Sequence, residues 1–263
     1  MIGLFFGDTE FPKKILQKIK KNKKKYIIID LSKKKVFKKN PHSQSFSIGQ
    51  FGKIFKFLST NKCKKVLFAG RINKPNFSSL KVDFKGFYYL PRIVKAVKIG
   101  DSAMLKVIIK IFIKEKIKVI SSNTYNPELT LCEGCYTKLK PNIKDLVSIK
   151  KGIKSLRMIN PNNHVQGLVV SNSTIIAKEK IYGTKKMIQS VSKNKNKQGI
   201  LIKFPKKNQD LRIDLPTVGF DTLKDCKKSK IKGIVLKSKK NIFLNKNKCI
   251  NFANKNKIFI IVK

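Results

Sequence analysis

The chain has 263 residues, of which 61 are basic, 14 are acidic and 41% are apolar. This length exceeds what a single hydrophobic core usually organises, so two domains are expected. The apolar fraction excludes a disordered chain, and the apolar runs are well short of the ~20 residues that a transmembrane helix needs. The first eight residues lack the basic stretch that opens a signal peptide, which predicts a cytoplasmic protein.

The net charge of +47 suggests a polyanionic partner, because Lys and Arg neutralise phosphate. Arginine, whose planar fork suits phosphates and bases, supplies only four of the basic residues: Arg71, Arg92, Arg157 and Arg212. Lys, Ile and Asn, whose codons are rich in A and T, are all abundant. Coding bias therefore explains most of the charge, and we expect no nucleic-acid partner. The four arginines are candidate functional residues, because the coding bias toward Lys has not replaced them.

The first half alternates short β-branched runs with segments of helical period, which is typical of βα units around a parallel sheet. The predicted strands are Ile2–Phe6, Tyr26–Leu31, Val66–Ala69 and Ile117–Ser121. Helices are expected after Pro12, over residues 48–58 and over Ala103–Ile113. The last of these is apolar almost all round, which predicts a buried helix.

Pro and Gly residues within 123–141 interrupt this pattern and predict a linker. We expect a first domain over residues 1–125, a linker over 126–141 and a second, mixed α/β domain over 142–263. The predicted strands of the second domain are Gly167–Ser171, Thr174–Ala177, Ile200–Phe204, Gly233–Leu236, Ile242–Leu244 and Ile258–Val262. Its predicted helices cover 143–156, Thr184–Ser192 and Asp221–Lys228, and Pro205–Gly219 is expected to be irregular.

Common catalytic signatures, including the P-loop, the nucleophile elbow and the zinc-protease motif, do not occur in the sequence. The five cysteines are an odd number and are expected to be reduced. Cys132 and Cys135 have C-x-x-C spacing, but His42 and His164 are far from them in sequence, so a metal site there is not favoured. The acids that fall among Gly, Pro and Arg are of greater interest.

The densest group of such acids lies in residues 203–219, which read KFPKKNQDLRIDLPTVG and follow a predicted strand. Here Asp210 and Asp214 accompany Lys203 and Arg212. Carboxylates beside cations can hold a divalent ion and a phosphate together. Aspartates that form turns beside proline are also common, so the residues alone leave a structural interpretation open.

This stretch resembles the K-x-P-x-x-x-Q-D-x-R-x-D-L-P-T-x-G segment of the UDP-2,3-diacylglucosamine pyrophosphatases of lipid A biosynthesis. These form the metal-dependent family that is unrelated to the calcineurin-like phosphoesterases. Other stretches, in the same order along the chain, are similar to further motifs of that family: Gly49–Gly52, Phe68–Arg71, Leu90–Arg92, Gly100–Leu105, Glu133–Thr137 and Gly183–Met187. Ordered matches spread nearly from end to end make the resemblance specific.

The resemblance implies that UDP-2,3-diacylglucosamine is hydrolysed at its pyrophosphate to UMP and 2,3-diacylglucosamine 1-phosphate (lipid X), with Mg²⁺ or another divalent cation. It also implies a Rossmann-like N-terminal domain and a C-terminal α/β domain, with the active-site cleft between them. Asp214 matches the family's essential aspartate and is the expected catalytic residue. The expected metal ligands are Asp210, Asp214 and Glu179. The expected substrate contacts are Gly7, Gln50, Arg71, Asp101, Thr184, Lys203, Gln209 and Arg212.

Four positions depart from the family pattern. Asp8 and Thr9 replace two glycines of a phosphate-binding turn, and Tyr182 and Lys185 stand where the family has acids. An inactive or altered-specificity member is therefore one alternative, and a basic protein that binds a membrane surface or nucleic acid is another. The acyl chains of the implied substrate, together with the basic surface, predict weak peripheral association with the inner face of the inner membrane.

Overall fold

The computed structural model describes residues 1–71, 80–159, 165–180, 182–191, 198–206 and 209–263, apart from the side chain of Asp101. His164 therefore lies outside the described residues. The chain forms two compact units. The N-terminal unit comprises Met1–Pro127 and Arg212–Asp214, and the C-terminal unit comprises Glu128–Leu211 and Leu215–Lys263. A three-residue segment from late in the sequence thus belongs to the N-terminal unit.

A five-stranded parallel sheet forms the centre of the N-terminal unit. Its strands are β1 (Ile2–Phe6), β2 (Tyr26–Asp30), β3 (Ser43–Ser45), β4 (Lys65–Ala69) and β5 (Lys118–Ile120). They lie in the order β3-β2-β1-β4-β5, and all four pairings are parallel. This confirms the Rossmann-like prediction and places the reversal of strand order between β1 and β4. The apolar runs of β1 and β2 are continuous because these strands are covered on both faces.

Among its described residues, this unit has four α-helices that cover the sheet: α1 (Phe11–Lys21), α2 (Phe51–Thr60), α3 (Phe84–Ile99) and α4 (Asp101–Lys114). Pro12 occupies the first turn of α1, where its missing N–H costs nothing. The expectation that α4 is buried all round is wrong, because Ile113 is 55% exposed and the helix buries one side. Sequence periodicity did not predict α3, which contains Pro91 and carries apolar residues on its outer side as well.

The C-terminal unit contains a mixed six-stranded sheet and a two-stranded ribbon. Their strands are β6 (Gly134–Cys135), β7 (Gly167–Ser171), β8 (Thr174–Lys178), β9 (Gly199–Lys203), β10 (Thr217–Val218), β11 (Ile231–Leu236), β12 (Ile242–Phe243) and β13 (Phe259–Val262). The main sheet has the order β6-β13-β11-β9-β7-β8, and β10 pairs with β12. Because β7 runs antiparallel to β8 and β9 while β11 is parallel to β9 and β13, the prediction of a mixed domain is confirmed.

Helices pack on this sheet over two apolar clusters, one of which contains Leu201 and Ile234 and the other Ile202 and Val235. The helices are α5 (Ile143–Ile159), α6 (Gly183–Val191), α7 (Phe220–Lys228) and α8 (Lys246–Lys255). Strand β10 lies in the stretch that was expected to be irregular. Among the described residues, none of the helices combines the length and the apolar character that crossing a bilayer requires.

Candidate functional site

The carboxyl ends of β1 and β4 lie side by side at the point where the strand order reverses. The Gly7 amide donates to the carbonyl of Ala69 at 3.0 Å, and Asp8 and Arg71 exchange two backbone hydrogen bonds of 2.8 and 2.9 Å. These bonds fix the backbone of Gly7 and Arg71, two of the predicted substrate contacts. Open α/β sheets bind ligands at this point, outside the carboxyl ends of the strands.

Gly70, between Ala69 and Arg71, is required by the local geometry. Its φ of +86° suits glycine, and a Cβ atom would lie 2.8 Å from the carbonyl oxygen of Asp8. Thr9 also has a positive φ, of 114°, although it is β-branched. The turn after β1 thus keeps a backbone conformation typical of glycine at a position where the resembled family has glycine.

Two helix starts add further predicted residues to the N-terminal unit. Gln50 immediately precedes α2, and its side-chain oxygen accepts a hydrogen bond of 2.9 Å from the Ser47 amide. Asp101 is the first residue of α4. Because α2 and α4 lead back to β4 and β5, both starts lie at the edge of the sheet that carries Gly7 and Arg71.

The segment Arg212–Asp214 brings the expected catalytic residue into the same unit. The carbonyl of Arg212 accepts a 2.9 Å hydrogen bond from the amide of Ser122, which follows β5. Ile213 packs against the apolar core of the N-terminal unit. Asp214 therefore follows a residue anchored in the unit that holds Arg71, although the two are far apart in sequence.

Three predicted residues of the C-terminal unit form one buried network. Lys203, the last residue of β9, donates a hydrogen bond to the Thr184 hydroxyl, which in turn donates to the Glu179 carboxylate at 2.6 Å. The Lys203 ammonium also lies 3.9 Å from Glu179 Oε1, and the two side chains are only 6% and 5% exposed. Charges as buried as these need a partner, because leaving either one unpaired would be costly.

The strands and α6 explain how these three side chains meet. Gly167 of β7 pairs with Lys203, and its carbonyl accepts a hydrogen bond from the amide of Glu179. A side chain at Gly167 would approach the second Glu179 oxygen, at 3.3 Å. Thr184 lies in the first turn of α6, which follows Glu179 directly.

Asn241 is a residue that sequence analysis did not identify. It is buried, its amide nitrogen donates to the Lys203 carbonyl at 3.1 Å, and its oxygen accepts from the Lys237 amide at 2.9 Å. Asn241 therefore holds the end of β9 in place. Its signal in the sequence is weak, because Asn before a strand is ordinary in turns.

Gln209 lies in the C-terminal unit shortly after β9. Its side-chain oxygen accepts from the Lys206 amide at 2.8 Å, whereas its buried Nε2 has no hydrogen-bond partner among the described residues. A buried amide group with an unused donor suits a ligand acceptor. Asp210 follows it in the same unit.

The grouping of potential metal ligands can be examined for the part of the chain that the structure describes. Within the described ranges, no three His, Cys, Asp or Glu side chains are grouped closely enough to hold one. The exposed Cys132 and Cys135 do not alter this result. Of the predicted ligands, Glu179 is engaged by Lys203 and Thr184.

A second buried carboxylate, Asp30, also escaped the sequence analysis. It ends β2, is 1% exposed and accepts hydrogen bonds from the Ser32 amide, the Ser32 hydroxyl and the Phe37 amide at 2.6–2.9 Å. These neutral donors all come from the loop that follows β2. The sequence feature that could have indicated this buried carboxylate is an acid directly after the apolar run Ile27–Ile29.

Two domain models of one protein family match this chain. Residues 1–129 match the LpxI N-terminal domain, and residues 132–261 match the LpxI C-terminal domain. The chain is also similar to the UDP-2,3-diacylglucosamine pyrophosphatase LpxI of Caulobacter vibrioides, with 31% identity over 222 residues. That match covers 81% of this chain and 79% of the Caulobacter protein. Since both domains match and a relative aligns across most of its length, the chain belongs to the LpxI family.

Proposed function

We propose that this protein hydrolyses the pyrophosphate of UDP-2,3-diacylglucosamine in lipid A biosynthesis. Membership of the LpxI family over both domains carries this proposal. In the reaction, the oxygen of a water molecule bonds to one phosphorus and the bridging P–O bond breaks. UMP and 2,3-diacylglucosamine 1-phosphate (lipid X) leave, and the two protons of the water pass to the product phosphates and, as these ionise, to solvent.

The residues at the strand ends suit a substrate of this charge. Arg71 and the backbone of Gly7 lie where open α/β sheets bind phosphates, and we assign them to the nucleotide or the pyrophosphate. Lys203 and Arg212 supply cations that stabilise the negative charge developing on the phosphate oxygens. Gln50, Asp101, Thr184 and Gln209 complete the proposed substrate contacts. None of these roles requires histidine.

Asp214 is the proposed catalytic residue, and a divalent cation, Mg²⁺, is the proposed cofactor. In phosphate chemistry Mg²⁺ is usually held by one or two carboxylates, with water and substrate phosphates completing its shell. We assign Asp210 and Asp214 to this ion, because the family resemblance implies them as ligands and such an ion needs no group of three protein ligands. When bound, the ion would neutralise phosphate charge. Glu179, originally expected to be a ligand, fits better as the counter-charge that positions Lys203.

We further propose that the protein acts in the cytoplasm, at the inner face of the inner membrane. A substrate with two acyl chains resides in the bilayer, and basic residues near an anionic surface each add about 1 kcal/mol of attraction. The charge of +47 supports such an association. No nucleic acid is required by this function.

The test is UMP release from UDP-2,3-diacylglucosamine, with Mg²⁺ and with a chelator. Asp214→Asn should lower kcat by about a thousandfold, comparable to the loss of a major transition-state contact. The matched control is Asp221→Asn, which removes an exposed acid of α7 that pairs with Lys224 at 2.6 Å. Asp221→Asn should leave kcat unchanged.

Three results would contradict parts of this proposal. Wild-type turnover by folded Asp214→Asn would remove the catalytic role of Asp214. Equal rates with Mg²⁺ and with the chelator would remove the cation. Hydrolysis of UDP-N-acetylglucosamine in preference to the diacylated substrate would indicate altered specificity.

A further inference from the structure

Helix α3 presents an apolar surface to solvent. Its buried residues are Gly86, Tyr89, Ile93 and Ala96, which lie on one side of the helix. The opposite side should be polar on a helix that packs only against its own core. Instead it begins with Phe84 and Phe87, which are 91% and 72% exposed, and continues with the exposed residues Tyr88 and Pro91.

These exposed residues form one continuous stripe. Phe84, Phe87, Tyr88 and Pro91 follow the spacing i, i+3, i+4, i+7, which places them along one face of a helix. The same face continues with Lys95 and Lys98 in the second half of the helix. A groove of about 450 Å³ lies here, lined by Phe87, Leu90, Pro91, Val94, Lys95 and Lys98. We call the surface formed by Phe84, Phe87, Tyr88, Pro91, Lys95 and Lys98, together with this groove, the α3 face.

The α3 face carries cations without acids. No Asp or Glu occurs between residues 84 and 99, and Asp83, which precedes Phe84, accepts hydrogen bonds from the Gly52, Lys53 and Gly86 amides. The nearby Glu115 is engaged on the inner side, where it pairs with Lys85 at 2.7 Å and accepts a 2.8 Å hydrogen bond from Tyr89. Arg92 and the Lys114 ammonium of α4 lie over the Tyr88 ring, at 5.7 and 5.2 Å from its centre. Aromatic rings with adjacent cations characterise helices that lie in the interface of an anionic bilayer.

We propose that the α3 face is the surface by which this protein docks on an anionic lipid bilayer, with Phe84 and Phe87 inserted among the acyl chains. Lys95 and Lys98 then contact the headgroups. A second copy of the chain is disfavoured as the occupant, because two such faces, each basic, would repel one another. This inference rests on the proposed function only in that the acylated substrate gives the docking a purpose.

Vesicle sedimentation tests the proposal with the full chain. We expect wild-type protein to bind vesicles of phosphatidylethanolamine and phosphatidylglycerol, and to bind phosphatidylcholine vesicles far less. Phe84→Ser/Phe87→Ser should weaken binding by about a hundredfold, or about tenfold for each ring withdrawn from the bilayer. Lys95→Gln/Lys98→Gln should weaken it by roughly 25-fold, an effect that high salt should reproduce in the wild type.

The C-terminal unit offers a matched control. Ile143 and Met158 of α5 are also exposed, at 81% and 70%, and Ile143→Ser/Met158→Ser removes a comparable apolar area. That variant should bind anionic vesicles like the wild type. Equal losses in the α5 and α3 variants would overturn the assignment to the α3 face, and so would full binding by Phe84→Ser/Phe87→Ser.

A fluorescence measurement locates the contact directly. The chain has no tryptophan, so Phe87→Trp introduces a single reporter on the α3 face. Anionic vesicles should shift its emission to shorter wavelength, and brominated acyl chains should quench it. Unchanged emission in the presence of vesicles that sediment the protein would show that another surface docks.

Hydrolysis of detergent-dispersed UDP-2,3-diacylglucosamine separates this inference from the proposed function. Phe84→Ser/Phe87→Ser should retain wild-type kcat in detergent while losing vesicle binding. If wild-type protein binds vesicles through the α3 face but releases no UMP, docking stands and the proposed function fails. If the variant loses activity in detergent but still binds vesicles, the face contacts substrate, and the docking proposal is wrong.

Discussion

Asp30 and Glu179 are both carboxylates buried at the carboxyl end of a strand, yet their surroundings differ. Asp30 accepts hydrogen bonds from two backbone amides and one hydroxyl, all within the loop that follows its own strand. Glu179 accepts from the Thr184 hydroxyl and, at 3.3 Å, from the Gln166 amide, and the ammonium of Lys203 on another strand lies within ion-pair distance. The hydrogen bonds found for the first carboxylate come from neutral donors, whereas the second also has a buried opposite charge beside it.

The comparison separates two uses of a buried acid. Neutral local donors can only fix the backbone around Asp30, so its role is to shape the loop after β2. A buried Lys–Glu pair adds little net stability compared with apolar residues of the same size. We therefore interpret Glu179 as the counter-charge that holds the Lys203 ammonium in the candidate site. The comparison predicts that Lys203 matters for turnover and Asp30 for stability.

The largest expected effect on kcat and stability follows from removing the positive charge of Lys203. Lys203→Met should lower kcat by roughly 10² to 10³, since the proposed stabilisation of the transition state by this charge is lost. It should also lower the free energy of unfolding by about 3 kcal/mol, because Glu179 stays buried without a counter-charge. Steady-state UMP release and urea unfolding measure the two effects.

A double variant distinguishes the two causes. Lys203→Met/Glu179→Gln removes both charges and keeps a side-chain oxygen that can accept from Thr184, so most of the lost stability should return. Turnover should not return with it. Recovery of activity in the double variant would mean that Lys203 serves only to neutralise Glu179, and the distinction from Asp30 would fail.

The converse effect is expected at Asp30. Asp30→Asn replaces one acceptor oxygen by a donor, which then faces the amide or hydroxyl that it should accept from. Each lost charge-assisted hydrogen bond costs about 1.5–3 kcal/mol, so the free energy of unfolding should fall by roughly 3 kcal/mol. The kcat of the folded fraction should be unchanged. A large drop in kcat at full folding would place Asp30 in the site.

The fold was largely predictable for strands that are buried on both faces of the sheet. Strands β1, β2 and β4 are covered on both faces, so their sequences are continuous apolar runs. Helix α3 was missed because its outer side is apolar too, which removes the contrast that periodicity detects. Helix α8 was missed for the opposite reason. It is rich in Lys and Asn, and only Cys249 and Ala253 are buried.

The candidate site was predictable only where motifs carry it. Gly7, Arg71, Lys203 and Asp214 are candidates because family motifs mark them. Asn241 and Asp30 were not found, because their importance lies in hydrogen bonds that depend on the folded arrangement. The sequence also did not predict that Arg212–Asp214 belongs to the N-terminal unit. No local feature of the sequence indicates that a short segment late in the chain packs with the first unit.

The smallest change in stability is expected at Asp83. This residue tests which property predicts the role of a carboxylate: the charge of its hydrogen-bond donors, or their separation from it along the chain. Asp83 accepts from the amides of Gly52 and Lys53 at the start of α2 and from that of Gly86 in α3, at 2.8–3.0 Å. Its donors are neutral, as for Asp30, but two of them are distant in sequence, as Lys203 is from Glu179. If donor type decides, Asp83 is structural.

The pH dependence of stability gives a specific signature for Asp83. Burial opposes ionisation, but hydrogen bonds from the Lys53, Gly52 and Gly86 amides outweigh it, so the pKa of Asp83 is lowered. Its stabilisation is therefore complete above the pKa of the unfolded chain, about 4, and is lost as the pH falls through the lower pKa of the folded state. Asp83→Ala should cost roughly 1–2 kcal/mol at pH 7, and this difference from the wild type should shrink near pH 3. Urea unfolding at both pH values measures it, with Asp221→Ala on the exposed surface as the control. A thousandfold loss of turnover in Asp83→Ala, without loss of stability, would show that sequence distance is the better guide.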